Sequence, residues 1–154
     1  MSSGTYRWIA WLRLAFVVAT FAAAQPAMSR TAPATERILD DSGGRIGTYL
    51  SRYAALRRSG QRVAIDGTCA SACTLLLGMI PHNRICVTPR AVLAFHAAWD
   101  PSLTGAQTNK PGTKYLWSHY PDSVRRWIAR HGGLGSETIY LGGRELAAMF
   151  ASCR

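Results

Sequence analysis

Apolar positions along this chain fall into short β-branched runs, which are typical of buried strands, and wider spacings, which are typical of helices. The run Arg-Val-Ala-Ile at 62–65 predicts a buried strand that Asp66 and Gly67 end. Small residues follow, and an apolar run that reaches Gly78 predicts a helix. Ser71 thus lies at a predicted strand-to-helix turn, where unpaired backbone N–H groups and the helix dipole stabilise negative charge.

The remaining pattern predicts further strands and helices in alternation. In chain order these are a helix over 46–58, strands over 84–87 and 91–95, a helix over 115–131 that is broken at Pro121, a short segment over 137–141 and a last helix over 144–151. Segment 100–114 is rich in Pro, Gly, Thr and Asn and is predicted to be a loop. Strands that alternate with helices predict an α/β fold with parallel strand pairs.

The first residues have the features of an export signal. Arg7 and Arg13 mark a basic start, an apolar run follows at 14–21, and three alanines precede Gln25. The apolar run is short for a membrane span, so we expect cleavage before Gln25; an uncleaved membrane anchor is the alternative. The predicted organisation is a signal peptide over 1–24, a flexible mature N-terminus over 25–36 and one domain over 37–154.

Composition and charge fit a single globular domain with a basic surface. Hydrophobic residues make up 48% of the chain and charged residues 17%, which excludes a largely disordered protein. The formal net charge is +10, and it falls to +8 when the two arginines of the leader are removed. The basic residues are scattered and no nucleic-acid-binding motif accompanies them, so we expect no nucleic-acid partner. Such a surface is either simply solvated or in contact with an anionic partner.

Four cysteines, an even number in a chain bound for an oxidising compartment, predict disulfides. Four cysteines allow three connectivities, and sequence alone does not choose among the pairings of Cys69, Cys73, Cys86 and Cys153. We expect Cys73 to pair with Cys86, since a helix and the strand that returns after it are neighbours. Zinc binding is the competing interpretation, but one Cys-x-x-x-Cys spacing with no second close pair gives it weak support.

Ser71 has two interpretations. It is either a nucleophile whose proton is taken by His96, which follows a predicted strand, or an ordinary N-cap of the next helix. N-capping alone requires neither His96 nor the adjacent glycines, Gly43 and Gly44, that follow an acidic turn. The three features together favour a catalytic or catalytic-derived site.

Five short segments follow one another in an informative order. They are Asp-Ser-Gly-Gly-Arg-Ile at 41–46, Gly-Thr-Cys-Ala-Ser-Ala at 67–72, Arg-Ile-Cys-Val-Thr-Pro at 84–89, Leu-Ala-Phe-His at 93–96 and Leu-Gly-Gly-Arg-Glu-Leu at 141–146. In this order they resemble motifs of the Clp protease/crotonase superfamily, and in particular those of exported Clp-protease-like periplasmic proteins. The resemblance implies a spiral of ββα units within one α/β domain.

The resemblance also implies site residues. Ser71 corresponds to the nucleophile and His96 to the general base. Gly44 and Ala72 would supply the backbone N–H groups of an oxyanion hole. The acid that orients the histidine in the family has no direct counterpart here. The candidates for it are Glu137, which is nearest to its position, and then Asp122 and Glu145. No cofactor and no metal are implied.

The predicted function is that of an exported, periplasmic serine peptidase-like or acyl hydrolase-like protein that acts on a peptide or a small acyl substrate. The alternative is a non-catalytic periplasmic binding or assembly module that retains the fold. A coenzyme A-dependent crotonase-like enzyme is less favoured, because its chemistry does not require a Ser/His pair. The resemblance further implies trimer-based self-association, with membrane contact only through an uncleaved signal sequence.

Overall fold

The computed structural model describes residues 1, 34–100, 102 and 107–154. Residues 2–24 of the predicted signal peptide and 25–33 of the predicted flexible N-terminus lie outside this part of the chain. Every element described below belongs to one unit, Ala32–Arg154. Within the described residues no helix is long and apolar enough to cross a membrane.

A six-stranded, mainly parallel sheet organises this unit. Its strands are β1 (Glu36–Asp41), β2 (Val63–Ala70), β3 (Ile85–Val87), β4 (Val92–Phe95), β5 (Ile139–Gly142) and β6 (Ala151–Ser152). The strand order is β5-β4-β2-β3-β6, and β1 pairs with β2 in addition. All pairs are parallel except β4 with β5. The mixed α/β fold with parallel strand pairs, as predicted from the sequence, is therefore confirmed.

Strand β2 is the centre of the sheet because it pairs with three strands. Its first half pairs with β3, beginning at Val63 with Ile85, and its second half pairs with β4, ending at Ala70 with Ala94. Strand β1 pairs along both halves of β2. Strands β3 and β4 therefore share one edge of β2 in succession, and β2 and β4 end side by side.

The predicted end of β2 at Asp66 and Gly67 is wrong, since the strand continues to Ala70. A Cβ atom at Gly67 would lie 1.4 Å from the Leu39 carbonyl oxygen, so only glycine fits here. The close approach coincides with a register irregularity in β1 between Ile38 and Asp40. Gly67 therefore accommodates the neighbouring strand rather than breaking its own.

Asp66 is a buried charge in the middle of this strand. Its carboxylate accepts hydrogen bonds from Arg37 Nη2 at 2.5 Å, Arg90 Nη2 at 2.7 Å and Thr88 Oγ1 at 2.7 Å. The bond from Arg37, followed by those from Arg90 and Thr88, holds the pKa of the Asp66 carboxyl well below its usual range. Asp66 thereby connects β1, β2 and the turn after β3.

The helices follow the predicted pattern with two differences. They are α1 (Ile46–Ser59), a 3₁₀ turn (Ser71–Leu75) that leads into α2 (Leu76–Met79), α3 (Lys110–His119), α4 (Asp122–Arg130) and α5 (Gly143–Ala147). The predicted end of α1 and the break at Pro121 are confirmed; Gly60 takes a left-handed conformation with φ of 76°. Helix α3 begins inside the predicted loop, because Asn109 Oδ1 accepts from Gly112 N at 2.8 Å and caps it. The last helix ends early, because β6 pairs with β3.

Aromatic side chains hold the end of β4 against the following helices. Phe95 is fully buried, with its ring edge-on to Tyr120 at 5.2 Å and tilted to Trp127 at 6.2 Å between centroids. Such packing is worth about 0.5–1.5 kcal/mol per pair beyond the area buried. Since Phe95 directly precedes His96, this core contact fixes the point at which the chain enters the candidate site.

The disulfides are Cys69–Cys73 and Cys86–Cys153, so the predicted pairing of Cys73 with Cys86 is wrong. Strand register explains the error. Cys86 on β3 pairs with Ala64, near the start of β2, whereas Cys69 and Cys73 lie at the other end of that strand. Cys86 instead pairs with Ala151 of β6, which brings Cys153 beside it.

Candidate functional site

Ser71 follows β2 directly and opens the 3₁₀ turn. Its φ of 56° makes it the only non-glycine residue in the described ranges with a positive φ. A left-handed serine is uncommon, and such conformations persist only where the surroundings enforce them. The cap position belongs to Ala70, and no side chain caps the turn. Capping therefore does not account for Ser71.

The Gly43–Gly44 turn lies directly against the Ser71 turn. A Cβ atom added at Gly43 would meet Ala70 O at 2.6 Å, Ser71 Cβ at 2.7 Å and Ala72 N at 2.9 Å, and Gly43 itself has a φ of 83°. Both the space and the backbone conformation thus require glycine at this position. The two turns that carry the predicted oxyanion donors, Gly44 and Ala72, are in contact through Gly43.

Asp41 holds the glycine turn in place. Its Oδ1 accepts from Gly43 N at 2.9 Å and from the Tyr49 hydroxyl, and its Oδ2 accepts from Arg52 Nη1 at 3.0 Å. The Gly43 N–H is therefore used within the turn. Gly44 is exposed, and its N–H makes no hydrogen bond to another described residue. Ala72 belongs to the first turn of its 3₁₀ segment, where N–H groups have no partner in a preceding turn.

Three contacts hold the other side of the Ser71 turn. The Cys69–Cys73 disulfide encloses it, and both cysteines are fully buried. Tyr53 of α1 donates its hydroxyl to Cys73 O at 2.9 Å. Thr74 Oγ1 lies 2.6 Å from Ser71 O and 2.7 Å from the Tyr120 hydroxyl.

The Tyr120 hydroxyl remains protonated in this arrangement. Burial raises the pKa of Tyr120 to about 12, which leaves the hydroxyl neutral across the physiological range. A neutral hydroxyl suits the buried hydrogen bond with Thr74 because no charge has to be desolvated.

His96 and Ser71 follow the ends of neighbouring parallel strands. Ala70 pairs with Ala94, so Ser71 comes one residue, and His96 two residues, beyond that pair. The half-buried His96 ring has Nδ1 at 2.7 Å from Ala97 O. A carbonyl only accepts, so Nδ1 carries the proton and Nε2 of the neutral ring is the acceptor. Within the part of the chain that the structure describes, Ser71 Oγ and the His96 ring are not hydrogen-bonded.

No carboxylate contacts His96 among the described residues. Glu137 is exposed and makes no hydrogen bond or ion pair there, while its neighbours Ser136 and Thr138 line the cleft beside His96. Asp122 pairs with Arg125, and Glu145 is exposed on α5. The structure thus brings Ser71 and His96 to one edge of the sheet, but it gives His96 a backbone carbonyl as its partner.

Two adjoining clefts open from this edge. The first, of about 320 Å³, is lined by His96, Ala97, Trp99, Thr108, Ser136 and Thr138. The second, of about 520 Å³, is lined by Ala97, Thr108, Lys110, Thr113, Lys114, Trp117 and Leu134. Ala97 and Thr108 belong to both. The described residues contain no cluster of three His, Cys, Asp or Glu side chains that would hold a metal ion.

The lysine-containing cleft and the disulfide around Ser71 were not predicted from the sequence. Lys110 and Lys114 are the only lysines in the chain, and their spacing of four residues was the available signal. This spacing is informative only once both lysines are known to lie on one helix, which the sequence did not predict. For the cysteines, the residue order Cys-Ala-Ser-Ala-Cys was visible, but which cysteines lie together depends on strand register.

Comparison with known proteins gives little further guidance. No protein-family model matches the chain, and no curated protein matches it. Among solved structures the chain is similar to a ClpP1 mutant from Listeria monocytogenes, with 12% identity over 77% of this chain and 71% of that one and a TM-score of 0.46. A similarity at this level assigns neither a family nor an activity to the chain.

Proposed function

We propose that this protein is a serine hydrolase with a fold of the Clp protease/crotonase type, and that it cleaves a peptide or a small acyl substrate. The observation that carries the proposal is the left-handed conformation of Ser71 directly after β2, beside the strand that His96 follows. The backbone of Gly43 packs against the same turn, where there is no room for a side chain. Strained residues of this kind concentrate at catalytic sites.

In the proposed reaction, Ser71 Oγ attacks the substrate carbonyl carbon while its proton passes to His96 Nε2. The Gly44 and Ala72 N–H groups stabilise the negative oxygen that forms. The carbonyl then re-forms, the bond to the leaving group breaks, and the imidazolium gives its proton to that group. Water releases the acyl group from Ser71 by the same steps, with His96 again the base.

The Ala97 carbonyl has the positioning role in this mechanism. By accepting from Nδ1 at 2.7 Å it selects the tautomer in which Nε2 is basic. A carbonyl carries no full negative charge, so it stabilises the imidazolium less than a carboxylate does. We therefore propose a Ser–His pair with slower turnover than a complete triad. Hydrogen bonds between catalytic groups are often long without substrate, and we expect the Ser71–His96 bond to form when substrate binds.

The non-catalytic binding or assembly module is the second candidate. Two observations favour it: among the described residues, Ser71 is not hydrogen-bonded to His96, and no carboxylate is hydrogen-bonded to the His96 ring. In that function the clefts would bind a partner without bond cleavage, and neither Ser71 nor His96 would be needed for binding.

The cellular setting is also a proposal. Two disulfides in a chain of this size are typical of an oxidising compartment, which supports export to the periplasm after removal of residues 1–24. We further propose the spiral ββα arrangement and trimer-based self-association that the motif resemblance implies. N-terminal sequencing of the exported protein tests removal of residues 1–24, and its mass in solution tests self-association.

Labelling with a fluorophosphonate, a probe of activated serines, tests the hydrolase proposal on the full chain with its disulfides formed. The phosphorus–oxygen bond to Ser71 forms as fluoride leaves, and the Oγ proton passes to His96. We expect one adduct, on Ser71, that Ser71→Ala abolishes and the exposed-surface control Ser51→Ala retains. Labelling that survives Ser71→Ala contradicts the proposal, and folded protein that takes no label favours the binding module.

A further inference from the structure

The larger cleft beside His96 contains the only two lysines of the chain. We propose that Lys110 and Lys114 bind a carboxylate of the substrate, so that the proposed hydrolase prefers acidic peptides or acyl groups. This inference rests on the proposed function and adds the chemical class of its substrate.

The position of the two lysines is fixed by backbone contacts with the segment after His96. Asn109 N donates to Ala98 O at 2.6 Å, and Trp99 forms an antiparallel bridge with Thr108. The start of α3 is therefore paired with the chain that leaves His96. The lysine cleft therefore adjoins the cleft that His96 lines, and the two share Ala97 and Thr108.

Side-chain contacts tighten the same junction. Thr113 Oγ1 accepts from Ala98 N at 3.0 Å and donates to Asn109 O at 2.8 Å. A Cβ atom at Gly112 would lie 2.9 Å from Ala98 Cβ, which shows how closely α3 approaches. The first turns of α3 are thus held against the segment that follows His96.

Both lysines line the same cleft. They lie four residues apart on α3, so they occupy one face of the helix. Both line the cleft with Trp117, and both are exposed without an ion-pair partner among the described residues. They remain available to an outside anion.

The lining of the two clefts offers no competing negative charge. None of the described residues that line either cleft is acidic. The same cleft has apolar lining from Trp117 and Leu134. This combination suits a substrate with a short carbon chain that ends in a carboxylate. A phosphate group would gain less here, because the described lining contains no arginine to bind it in a bidentate manner.

Two matched fluorophosphonates test the inference, one whose alkyl chain ends in a carboxylate and one that ends in a carboxamide. Each exposed ion pair contributes only modestly, so we expect the carboxylate probe to label Ser71 roughly tenfold faster at low salt. The preference should shrink as salt is added. Lys110→Gln with Lys114→Gln should bring the ratio of the two labelling rates to about one.

A control variant removes the same charge elsewhere. Arg57→Gln with Arg58→Gln takes two exposed positive charges from the end of α1, outside both clefts, and should keep the preference. Equal labelling by the two probes in the unmodified protein overturns the inference, as does a preference that survives the lysine substitutions. Two peptides then show which carboxylate is bound. One has an internal glutamate and an amidated C-terminus, and the other has a free C-terminus and no acidic side chain.

A second measurement separates failure of the inference from failure of the proposed function. If neither probe modifies Ser71, the hydrolase proposal fails, and the lysine site is then decided by acetylation of Lys110 and Lys114. Protection of both lysines by hexanoate but not by hexanamide supports the carboxylate site. Lack of protection overturns it.

Discussion

The turn that carries Ser71 and the cleft that carries His96 are built in different ways. A buried disulfide, the Tyr53 and Thr74 hydroxyls and the Gly43 backbone all fix the Ser71 turn. The ring of His96 is half-buried at the edge of an open cleft, and one bond from Nδ1 to Ala97 O orients it. The proposed nucleophile is thus held by several independent contacts and the proposed base by one.

This difference indicates where the proposed activity is vulnerable. Changes at the Ser71 turn disturb a conformation that many contacts maintain, so their effects on reactivity should be large. Exposed residues near the His96 cleft make few contacts, so the effects of substituting them should be small.

Outside the proposed Ser–His pair itself, the largest effect is expected from Gly43→Ala. The new Cβ would lie 2.6 Å from Ala70 O and 2.7 Å from Ser71 Cβ at a φ of 83°, so one of the two turns has to shift. We expect the rate of Ser71 labelling to fall by at least about 100-fold, because small misplacements of reacting groups cost that much. Gly47→Ala on α1 is the control, since nothing lies within 4 Å of its Cβ position. Equal labelling of the two variants would show that the Ser71 turn does not depend on Gly43.

Next in size is the contrast between the two disulfides. Removing Cys86–Cys153, with a sequence separation of 67, should cost about 4 kcal/mol of unfolding free energy, whereas removing Cys69–Cys73, with a separation of 4, should cost about 2 kcal/mol. Reactivity should follow the opposite order. Cys69→Ala with Cys73→Ala should slow Ser71 labelling at least tenfold at a temperature where the protein remains folded.

Chemical denaturation and labelling rates measured on both double variants check this contrast. Cys86→Ala with Cys153→Ala should be the less stable variant and should still label at the normal rate while folded. If both variants lose reactivity in proportion to their stability, the short disulfide has no special role at Ser71.

A smaller effect is expected from low pH, which should reduce the stability of the fold by protonating Asp66 on β2. The pKa of Asp66 is depressed in the folded state, so its contribution is fully present above the unfolded pKa of about 4 and is lost as pH falls below it. The thermal midpoint should therefore decline below about pH 4 more steeply in the unmodified protein than in Asp66→Asn. The exposed neighbour Asp40→Asn is the control and should follow the unmodified protein. Parallel pH curves for all three proteins would contradict the role given to Asp66.

The smallest effect is expected from Glu137→Gln. The side chain is exposed and contacts neither His96 nor another described residue through a hydrogen bond. We expect labelling of Ser71 to change less than twofold, as is usual for exposed positions away from special contacts. A loss of tenfold or more would mean that Glu137 reaches His96 in the working protein and that the site is a triad.

Local patterns predicted much of the fold because they act over a few residues. The helix that begins at Ile46 ends at Ser59, since the following Gly60 adopts the left-handed conformation that stops it. Strands β3 and β4 were predicted from short apolar runs, and both are present. The same logic placed Ser71 at a turn and His96 at a strand end.

The features that the sequence did not reveal depend on contacts between distant segments. Gly67 looks like a strand breaker until the Leu39 backbone is placed against it. The cysteine pairing follows from which half of β2 each neighbouring strand occupies. The start of α3, which carries the cleft lysines, is joined to the segment after His96 by the bond from Asn109 N to Ala98 O. None of these relations has a signature within a short stretch of sequence.

The most direct test of the proposed site is the rate of Ser71 modification in His96→Gln, followed by peptide mass spectrometry. The proposal predicts that the unmodified protein acquires a single fluorophosphonate adduct on Ser71. It predicts that His96→Gln lowers the rate by about 10²–10⁴-fold with no change in the thermal midpoint of unfolding, which is the range that a positioned general base contributes. An unchanged rate of Ser71 modification in His96→Gln would contradict it.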